Sequence, residues 1–213
     1  MGAGWPADEQ AFANHASFLS IMSGFKEYDD YDALGLAELV STGAVSPAEL
    51  LEEAIARCET INPAINAVIS RNPRALDEAD RLDSAHRKSG PVGPLHGIPV
   101  ILKDQGDIAE MPTTMGSVLF EGHMPGRDAF AVAKMKEAGA IFIGKATLGE
   151  LGAGDTYGSL FGETHNVYDQ ERTAGGSSGG SAASVSANFC TVAVGQEGLA
   201  SIRRPSIWNG ISG

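Results

Sequence analysis

The chain contains one glycine- and serine-rich stretch, GGSSGGS at residues 175–181, and a second stretch further along, SIRRP at residues 201–205. Each glycine in a helix or strand costs conformational entropy on folding, so the first stretch is poorly suited to the interior of a regular element. Such a run is typical of backbone that approaches a ligand closely or has an unusual conformation. Because Ser177 and Ser178 lie at its centre and Ser201 follows, the two stretches together predict serine chemistry.

The composition of the 213-residue chain is that of a globular protein with one large domain or two small ones. Hydrophobic residues make up 43% and charged residues 20% of it, an ordinary balance. The formal net charge is −12, whereas binding to a nucleic-acid backbone requires clustered Lys and Arg. We therefore expect no nucleic-acid partner, and we predict a soluble protein with a cytoplasmic location.

The sequence gives no indication of a metal, a cofactor or a membrane. Cys58 and Cys190 are too few for a disulfide framework and lack zinc-ligand spacing, so both are interpreted as buried apolar residues. No H-E-x-x-H pattern is present, and neither a metal nor another cofactor is expected. Residues 173–196 carry no charge, but they are too rich in Gly and Ser for a membrane span. The first residues, MGAGWP, lack the basic and apolar regions of a secretory signal.

Helical and strand patterns alternate along the chain. Helices are predicted at 34–40, from Ser46 to about residue 60, and at 73–88, 128–138 and 181–188, with strands at 98–102, 140–143 and 191–194. Ser46 and Glu49 form a capping box at the start of the second helix, and Pro63 is expected to close it. The alternation predicts an α/β fold. Residues 1–30 are interpreted as an N-terminal arm or accessory segment, and residues 31–213 as part of one domain.

One interpretation of the serines is the nucleophile elbow of an α/β-hydrolase. Residues 176–180 match G-x-S-x-G, with Ser178 as the nucleophile. That mechanism requires an acidic residue and then a histidine after the serine. All five histidines precede Ser178, so this chain does not supply the triad in the required order.

A second interpretation is a phosphate-binding loop that leads into a helix. The Walker pattern requires a Gly-Lys-Ser/Thr sequence, whereas Gly180 is followed directly by Ser181. No basic residue lies between 173 and 196, and the Rossmann spacing of glycines is absent from the run. This nucleotide-binding interpretation is therefore disfavoured.

A third interpretation is a serine–serine–lysine relay, because three blocks resemble those of the amidase signature family. The glycine and serine run is the first block, and GQEGLASIRRP at 195–205 is the second. The third is HGIPVILKD at 96–104, followed by MPTT at 111–114. The resemblance extends over residues 34–213. It implies the N-terminal part of a fold in which helices cover a mixed central sheet.

The resemblance implies a role for each relay residue. Ser201 corresponds to the nucleophile that forms an acyl-enzyme, Ser177 to a bridging serine preceded by a cis peptide from Gly176, and Lys103 to the base. A serine hydroxyl is a weak nucleophile until a base takes its proton. Lysine can act as that base only when it is neutral, and burial favours the neutral form.

The resemblance also implies an oxyanion hole and supporting residues. The backbone N–H groups of Gly198, Leu199, Ala200 and Ser201 correspond to the donors that stabilise the negatively charged tetrahedral intermediate. Supporting roles fall to Gly176, to Ser178 through hydrogen bonding, and to Arg203 as an anchor of the loop.

The sequence departs from the family pattern in the second block and in length. Glu197 replaces the usual Asp, and Leu199 and Ala200 replace a Gly-Gly pair, so either side chain is strained if its backbone requires a positive φ. Family members are considerably longer. We expect the chain to be truncated within the fold, and to require the remaining C-terminal part of the enzyme as a partner.

The expected function is hydrolysis of a small linear carboxylic amide to an acid and ammonia or an amine. The alternatives are the amidase subunit of a tRNA-dependent glutamine amidotransferase and a catalytically silent scaffold. A homodimer is left open. The stretch at 147–154 resembles a segment that lines the acyl pocket in the family, but the sequence does not decide which of Leu148, Glu150 and Leu151 faces the substrate.

Overall fold

The computed structural model describes residues 25–213, which form helices and strands in alternation. The α-helices are α1 (Ala33–Thr42), α2 (Pro47–Ile65), α3 (Ala75–Ser89), α4 (Phe130–Glu137), α5 (Gly179–Ser186) and α6 (Arg203–Trp208), and 3-10 helices span Lys26–Asp30, Val118–Phe120 and Glu150–Gly152. The strands are β1 (Val68–Arg71), β2 (Pro99–Lys103), β3 (Ile141–Ala146), β4 (Tyr157–Gly158), β5 (Gly162–Glu163) and β6 (Val192–Val194). Most of the predicted N-terminal arm, residues 1–24, lies outside the described residues. None of the described helices is long and apolar enough to cross a membrane.

The main sheet contains four strands in the order β1-β3-β2-β6. Strand β2 pairs in parallel with β3 and β6, whereas β1 is antiparallel to β3. Every residue of β2 and β3 is buried. The predicted α/β fold with a mixed central sheet is thereby confirmed, and β2 delivers Lys103 at its carboxyl end, beside the end of β3.

Two apolar cores lie on opposite faces of this sheet. Successive side chains of a strand point to opposite faces, so Ile101 and Ile143 belong to one core and Val100 and Phe142 to the other. Helices α2, α3 and α5 contribute to the first core, and α1 and α4 to the second. Burial of each large aliphatic side chain contributes about 1.5–3 kcal/mol. Together the two cores hold the end of β2 from both sides.

Both cysteines are free and buried in the first core. Burial raises the pKa of the Cys190 thiol to about 12 and that of Cys58 still further. The two thiols are therefore protonated at neutral pH and pack as small apolar side chains, as the sequence predicted.

Helix α2 begins as predicted but continues past its proline. The hydroxyl of Ser46 accepts from the Glu49 N–H, and the Glu49 carboxylate accepts from the Ser46 N–H, which completes the capping box. The prediction that Pro63 closes the helix is wrong. Pro63 lies in the last turn, and the helix continues to Ile65, with Asn66 as its C-cap at a φ of 51°.

Helix α5 begins two residues earlier than predicted, at Gly179, and ends at Ser186. The two glycines at the start of the helix allow neighbouring side chains to pack closely against it. A Cβ atom on Gly179 would lie 2.2 Å from Thr156 Oγ1, and one on Gly180 would lie 2.2 Å from Thr147 Oγ1. These glycines therefore serve the contact of a helix with its neighbours and do not break the helix.

Two other predicted boundaries also differ from the structure. Helix α4 begins at Phe130, two residues later than predicted, and the carboxylate of Asp128, which precedes the helix, accepts from the Ala109 N–H at 2.9 Å and from Lys136 Nζ at 2.9 Å. Strand β3 continues three residues beyond its predicted end, to Ala146, although this extension places Lys145 inside the protein.

A buried ion pair explains why β3 accommodates that charge. Lys145 is 0% and Asp104 1% exposed, and Lys145 Nζ lies 3.0 Å from Asp104 Oδ1. Lys145 also donates to the Pro112 carbonyl and the Thr113 hydroxyl at 3.0 Å, while Asp104 accepts from the Thr114 N–H and hydroxyl. This network fastens the residues after Lys103 to the adjoining strand.

Removal of the Lys145 ammonium is expected to destabilise the protein strongly. Lys145→Met leaves the Asp104 carboxylate buried without its counter-charge, which costs about 3–5 kcal/mol. The free energy of unfolding in urea measures the loss. Lys134→Met is the matched control, since Lys134 is exposed and pairs with Glu137 within one helix turn; it should change stability by less than about 1 kcal/mol. Equal effects of the two substitutions would contradict the argument.

Candidate active site

Lys103 is buried at the end of β2, with 2% of its surface exposed. Its Nζ donates to Ser177 Oγ at 2.8 Å and to the Gln196 carbonyl at 3.2 Å. Burial lowers the pKa of Lys103 to about 8. About half of the molecules would therefore carry a neutral amine at pH 8, with a lone pair available to accept a proton.

Lys103 and Lys145 are neighbouring buried lysines with different electrostatic surroundings. Burial lowers the pKa of Lys145, but the Asp104 carboxylate opposes that effect. Among residues 25–213, no carboxylate forms a salt bridge with Lys103. Lys145 thus forms an ion pair with Asp104, whereas Lys103 contacts the neutral hydroxyl of Ser177.

Ser177 is fully buried between Lys103 and the turn before helix α5. The peptide bond between Gly176 and Ser177 is cis. The Ser177 carbonyl accepts from the Gly149 N–H at 2.9 Å. The Ser177 hydroxyl itself accepts from Lys103 Nζ at 2.8 Å.

Ser178 joins the same loop to the segment that contains Ser201. The Ser178 hydroxyl lies 3.3 Å from both the carbonyl and the N–H of Gln196. The Ser178 N–H donates to the Ser201 carbonyl at 3.0 Å. Within residues 25–213 the Ser201 hydroxyl has no hydrogen-bond partner, so no direct hydrogen bond joins the hydroxyls of Ser201 and Ser177.

The turn at residues 198–201 presents a row of backbone donors. The N–H groups of Gly198, Leu199, Ala200 and Ser201 make no hydrogen bond within the part of the chain that the structure describes. The Leu199 side chain is 87% exposed. Neither Leu199 nor Ala200 has a positive φ, so these two side chains do not strain the turn in the conformation it adopts here.

Glu197 and Arg203 close this turn across its base. Glu197 Oε2 accepts from the N–H groups of Ile202 and Arg203 at 2.8 and 2.9 Å, and Oε1 accepts from Arg203 Nε at 2.6 Å. These hydrogen bonds, led by the one from the Arg203 N–H, lower the pKa of Glu197. Arg203 also donates to the Leu199 carbonyl. Glu197 thus stabilises the first turn of α6.

Loss of the Glu197 carboxylate is expected to loosen the turn. Glu197→Ala removes the acceptor for two backbone N–H groups, so amide exchange at Ile202 and Arg203 should accelerate. If the turn supplies oxyanion donors, acylation of Ser201 by a fluorophosphonate should slow by about 10–100-fold. Glu171→Ala, at an exposed glutamate, is the control and should leave both measurements unchanged. Unchanged exchange in Glu197→Ala would contradict the assigned contacts.

The three candidate residues in the segment at 147–154 differ in their surroundings. Leu148 is buried, and the Glu150 carboxylate accepts from the Ser159 N–H and hydroxyl. Leu151 is 50% exposed and has a φ of 56°. Of the three candidates, Leu151 alone is an apolar side chain that remains open to contact.

Sequence reasoning missed the residues that support the site. These are Asp104, Lys145, Thr156, Arg204 and the carbonyl of Gln196. Only Lys145 carried a signal, as a charged residue that directly follows an apolar run. Among the described residues, no group of His, Cys, Asp and Glu could hold a metal ion. His96 accepts from the Val92 N–H through Nδ1 at 3.1 Å.

Lys103, Ser177 and the backbone N–H groups of residues 198–201, which are unpaired within residues 25–213, are groups of the kind that acyl-transfer sites use. The family model for Amidase matches residues 49–213, and the chain belongs to that family. A glutamyl-tRNA(Gln) amidotransferase subunit from Zea mays is 40% identical over 184 residues, which cover 84% of this chain and 34% of that protein. The corresponding subunit from Chlamydia pneumoniae is 37% identical over 86% of this chain and 38% of its own length. The chain thus spans about a third of the length of these relatives.

Solved structures give the same result. The peptide amidase from Stenotrophomonas maltophilia superimposes with a TM-score of 0.82 at 34% identity, over 85% of this chain and 39% of that one. Fatty acid amide hydrolase superimposes with a TM-score of 0.83 over 91% of this chain and 34% of that one; at 24% identity it supports the fold alone.

Proposed function

We propose that residues 31–213 form the N-terminal part of the catalytic domain of an amidohydrolase. Its substrate is a small linear carboxylic amide, and its products are the acid and ammonia or an amine. Lys103 is the base, Ser177 the relay and Ser201 the nucleophile. Membership of the Amidase family and the similarity to a peptide amidase support this proposal.

The proposed reaction begins when neutral Lys103 accepts the proton of Ser177, which in turn accepts the proton of Ser201. The Ser201 oxygen attacks the carbonyl carbon, and the N–H groups of residues 198–201 donate to the resulting oxyanion. Ser177 then returns a proton to the departing nitrogen, the C–N bond breaks, and an acyl-Ser201 ester remains. Water, deprotonated through the same relay, hydrolyses the ester and releases the acid.

The hydrogen bond between Lys103 and Ser177 is the observation that carries the proposal. The lysine is buried, its pKa lies near 8, and its Nζ is 2.8 Å from a hydroxyl that is itself fully buried. A general base is most effective when its pKa lies near the working pH.

The first alternative is the amidase subunit of a tRNA-dependent glutamine amidotransferase. It is favoured by the relatives from Zea mays and Chlamydia pneumoniae, which are subunits of that kind. The two proposals differ in their need for partners. Release of ammonia from glutamine only when partner subunits and charged tRNA are added would favour the alternative, whereas hydrolysis of simple amides without them favours the amidohydrolase.

The second alternative is a silent scaffold, and a covalent probe separates it from both enzymes. A fluorophosphonate forms a stable bond to an activated serine oxygen as its leaving group departs. Labelling of the complete native protein at Ser201, located by peptide mass spectrometry, is the expected result. A protein that folds but is not labelled would support the scaffold.

We propose that the remaining C-terminal part of the fold is the partner this chain requires. The chain spans about a third of its relatives, so the rest of the substrate pocket would come from that part. We also propose a cytoplasmic location and homodimerisation. The location is supported by the net charge of −12 and by two free, buried cysteines; fractionation of cells that express the protein tests it.

A further inference from the structure

Arg204 makes specific contacts beside Ser177. It lies on the first turn of α6, three residues after Ser201. Its Nε donates to the Gly176 carbonyl at 3.3 Å, and its Nη2 donates to the Gly154 carbonyl at 3.1 Å. One side chain therefore reaches from the helix behind the nucleophile to the peptide that precedes Ser177.

The guanidinium is also held from two other directions. Arg204 Nη2 lies 2.6 Å from Asp155 Oδ1, and the guanidinium carbon lies 5.5 Å from the centre of the Trp208 ring. The side chains of Arg204 and Asp155 are 37% and 44% exposed, so the pair is partly screened by water. The planar fork of arginine suits such a set of contacts, because it bonds two acceptors at fixed angles while it stacks on an aromatic face.

The segment that contains Gly154 and Asp155, both of which contact Arg204, packs directly against the loop that contains Ser177. A Cβ atom on Gly176 would lie 2.6 Å from the Gly154 carbonyl oxygen, so the two backbones are in contact. Thr156 donates to the Gly175 carbonyl from its N–H at 2.9 Å and from its hydroxyl at 2.7 Å. The Thr156 hydroxyl in turn accepts from the Gly179 N–H at 2.8 Å. Residues 154–156 thus form a brace along the loop, and we call them the brace segment.

We propose that Arg204 is a positioning residue that fixes the Ser177 loop relative to the Ser201 turn. It connects three pieces of backbone: helix α6, the Gly176 carbonyl and the brace segment. Because the hydroxyls of Ser177 and Ser201 are not joined by a hydrogen bond here, their separation depends on contacts such as these, from a side chain to the backbone. The catalytic consequence rests on the proposed function, whereas the structural connection does not.

The test combines amide hydrogen exchange with fluorophosphonate labelling in the complete native protein. Arg204→Ala should accelerate exchange at the Ser178 and Thr156 amides by about 10-fold, while the amides of α2 stay protected. Labelling of Ser201 should slow by about 10–100-fold, since a small misplacement of reacting groups is costly. Arg204→Lys, which retains the charge beside Asp155 without the fork, should fall between wild type and Arg204→Ala in both measurements.

Arg74→Ala is the matched control, because Arg74 is an exposed arginine whose ion-pair partners, Asp77 and Glu110, belong neither to the Ser177 loop nor to the brace segment. It should leave exchange at Ser178 and Thr156 and the labelling rate unchanged. Unchanged exchange at the Ser178 and Thr156 amides in Arg204→Ala would overturn the proposal. Faster exchange throughout α2 would also overturn it, because the effect would then be global. Faster exchange at Ser178 and Thr156 with a wild-type rate of Ser201 labelling would overturn the positioning role. If the wild-type protein is not labelled at all, the proposed function fails, and the exchange measurement still decides whether Arg204 holds the loop.

Discussion

Ser201→Ala is expected to abolish amide hydrolysis in the complete native protein. The substitution removes the oxygen that forms the acyl ester, while Lys103 and Ser177 keep their hydrogen bond. Loss of a nucleophile that works as one unit with its base lowers kcat by roughly 10⁴–10⁶-fold. Steady-state release of acid from a simple amide measures the loss, and fluorophosphonate labelling should disappear with it.

The Ser201→Ala protein should fold as well as the wild type. The Ser201 hydroxyl has no hydrogen-bond partner among residues 25–213, so its removal leaves no buried group unpaired. Ser89→Ala, at an exposed serine near the end of α3, is the control for loss of a hydroxyl and should keep full activity. Wild-type hydrolysis in Ser201→Ala would eliminate Ser201 as the nucleophile and leave Ser177 and Ser178 as the candidate nucleophiles.

Local patterns were sufficient to predict the type of most elements. Buried strands have continuous apolar sequence, and the capping box at Ser46 marks the start of α2 by chemistry that acts within four residues. The ends of elements were less predictable, because contacts distant in sequence decide them. Strand β3 continues through Lys145, whose buried ammonium pairs with Asp104, a residue 41 positions earlier in the chain.

The glycine and serine run shows where sequence reasoning fails in the site. Read locally, its glycines indicate an irregular loop. In the structure Gly179 and Gly180 lie in a helix, and their lack of side chains serves contacts with Thr156 and Thr147, which come from segments far earlier in the sequence. The contacts of Arg204 could not be predicted from the sequence either, because its partners at 154, 155 and 176 come together only in the folded chain.

Lys103→Met is expected to remove both the activity and its dependence on pH near 8. Burial without a carboxylate partner lowers the pKa of Lys103 to about 8, so the charged form predominates below that pH. If the neutral amine is the base, the wild-type rate should rise about 50-fold between pH 6 and pH 8 and level off above pH 9. Loss of a general base lowers kcat by roughly 10²–10⁴-fold.

The shape of the pH profile distinguishes a base from a merely structural lysine. Methionine has a similar length and no charge, so Lys103→Met preserves the packing at the end of β2 while Ser177 loses the group that accepts its proton. Lys103→Arg keeps a permanent positive charge and should be equally inactive, because guanidinium is not deprotonated in this range. Lys88→Met, at an exposed lysine, should show the wild-type profile. A Lys103→Met protein that kept the rise between pH 6 and pH 8 would place the titrating base elsewhere, since no neutral amine would remain beside Ser177 to produce it.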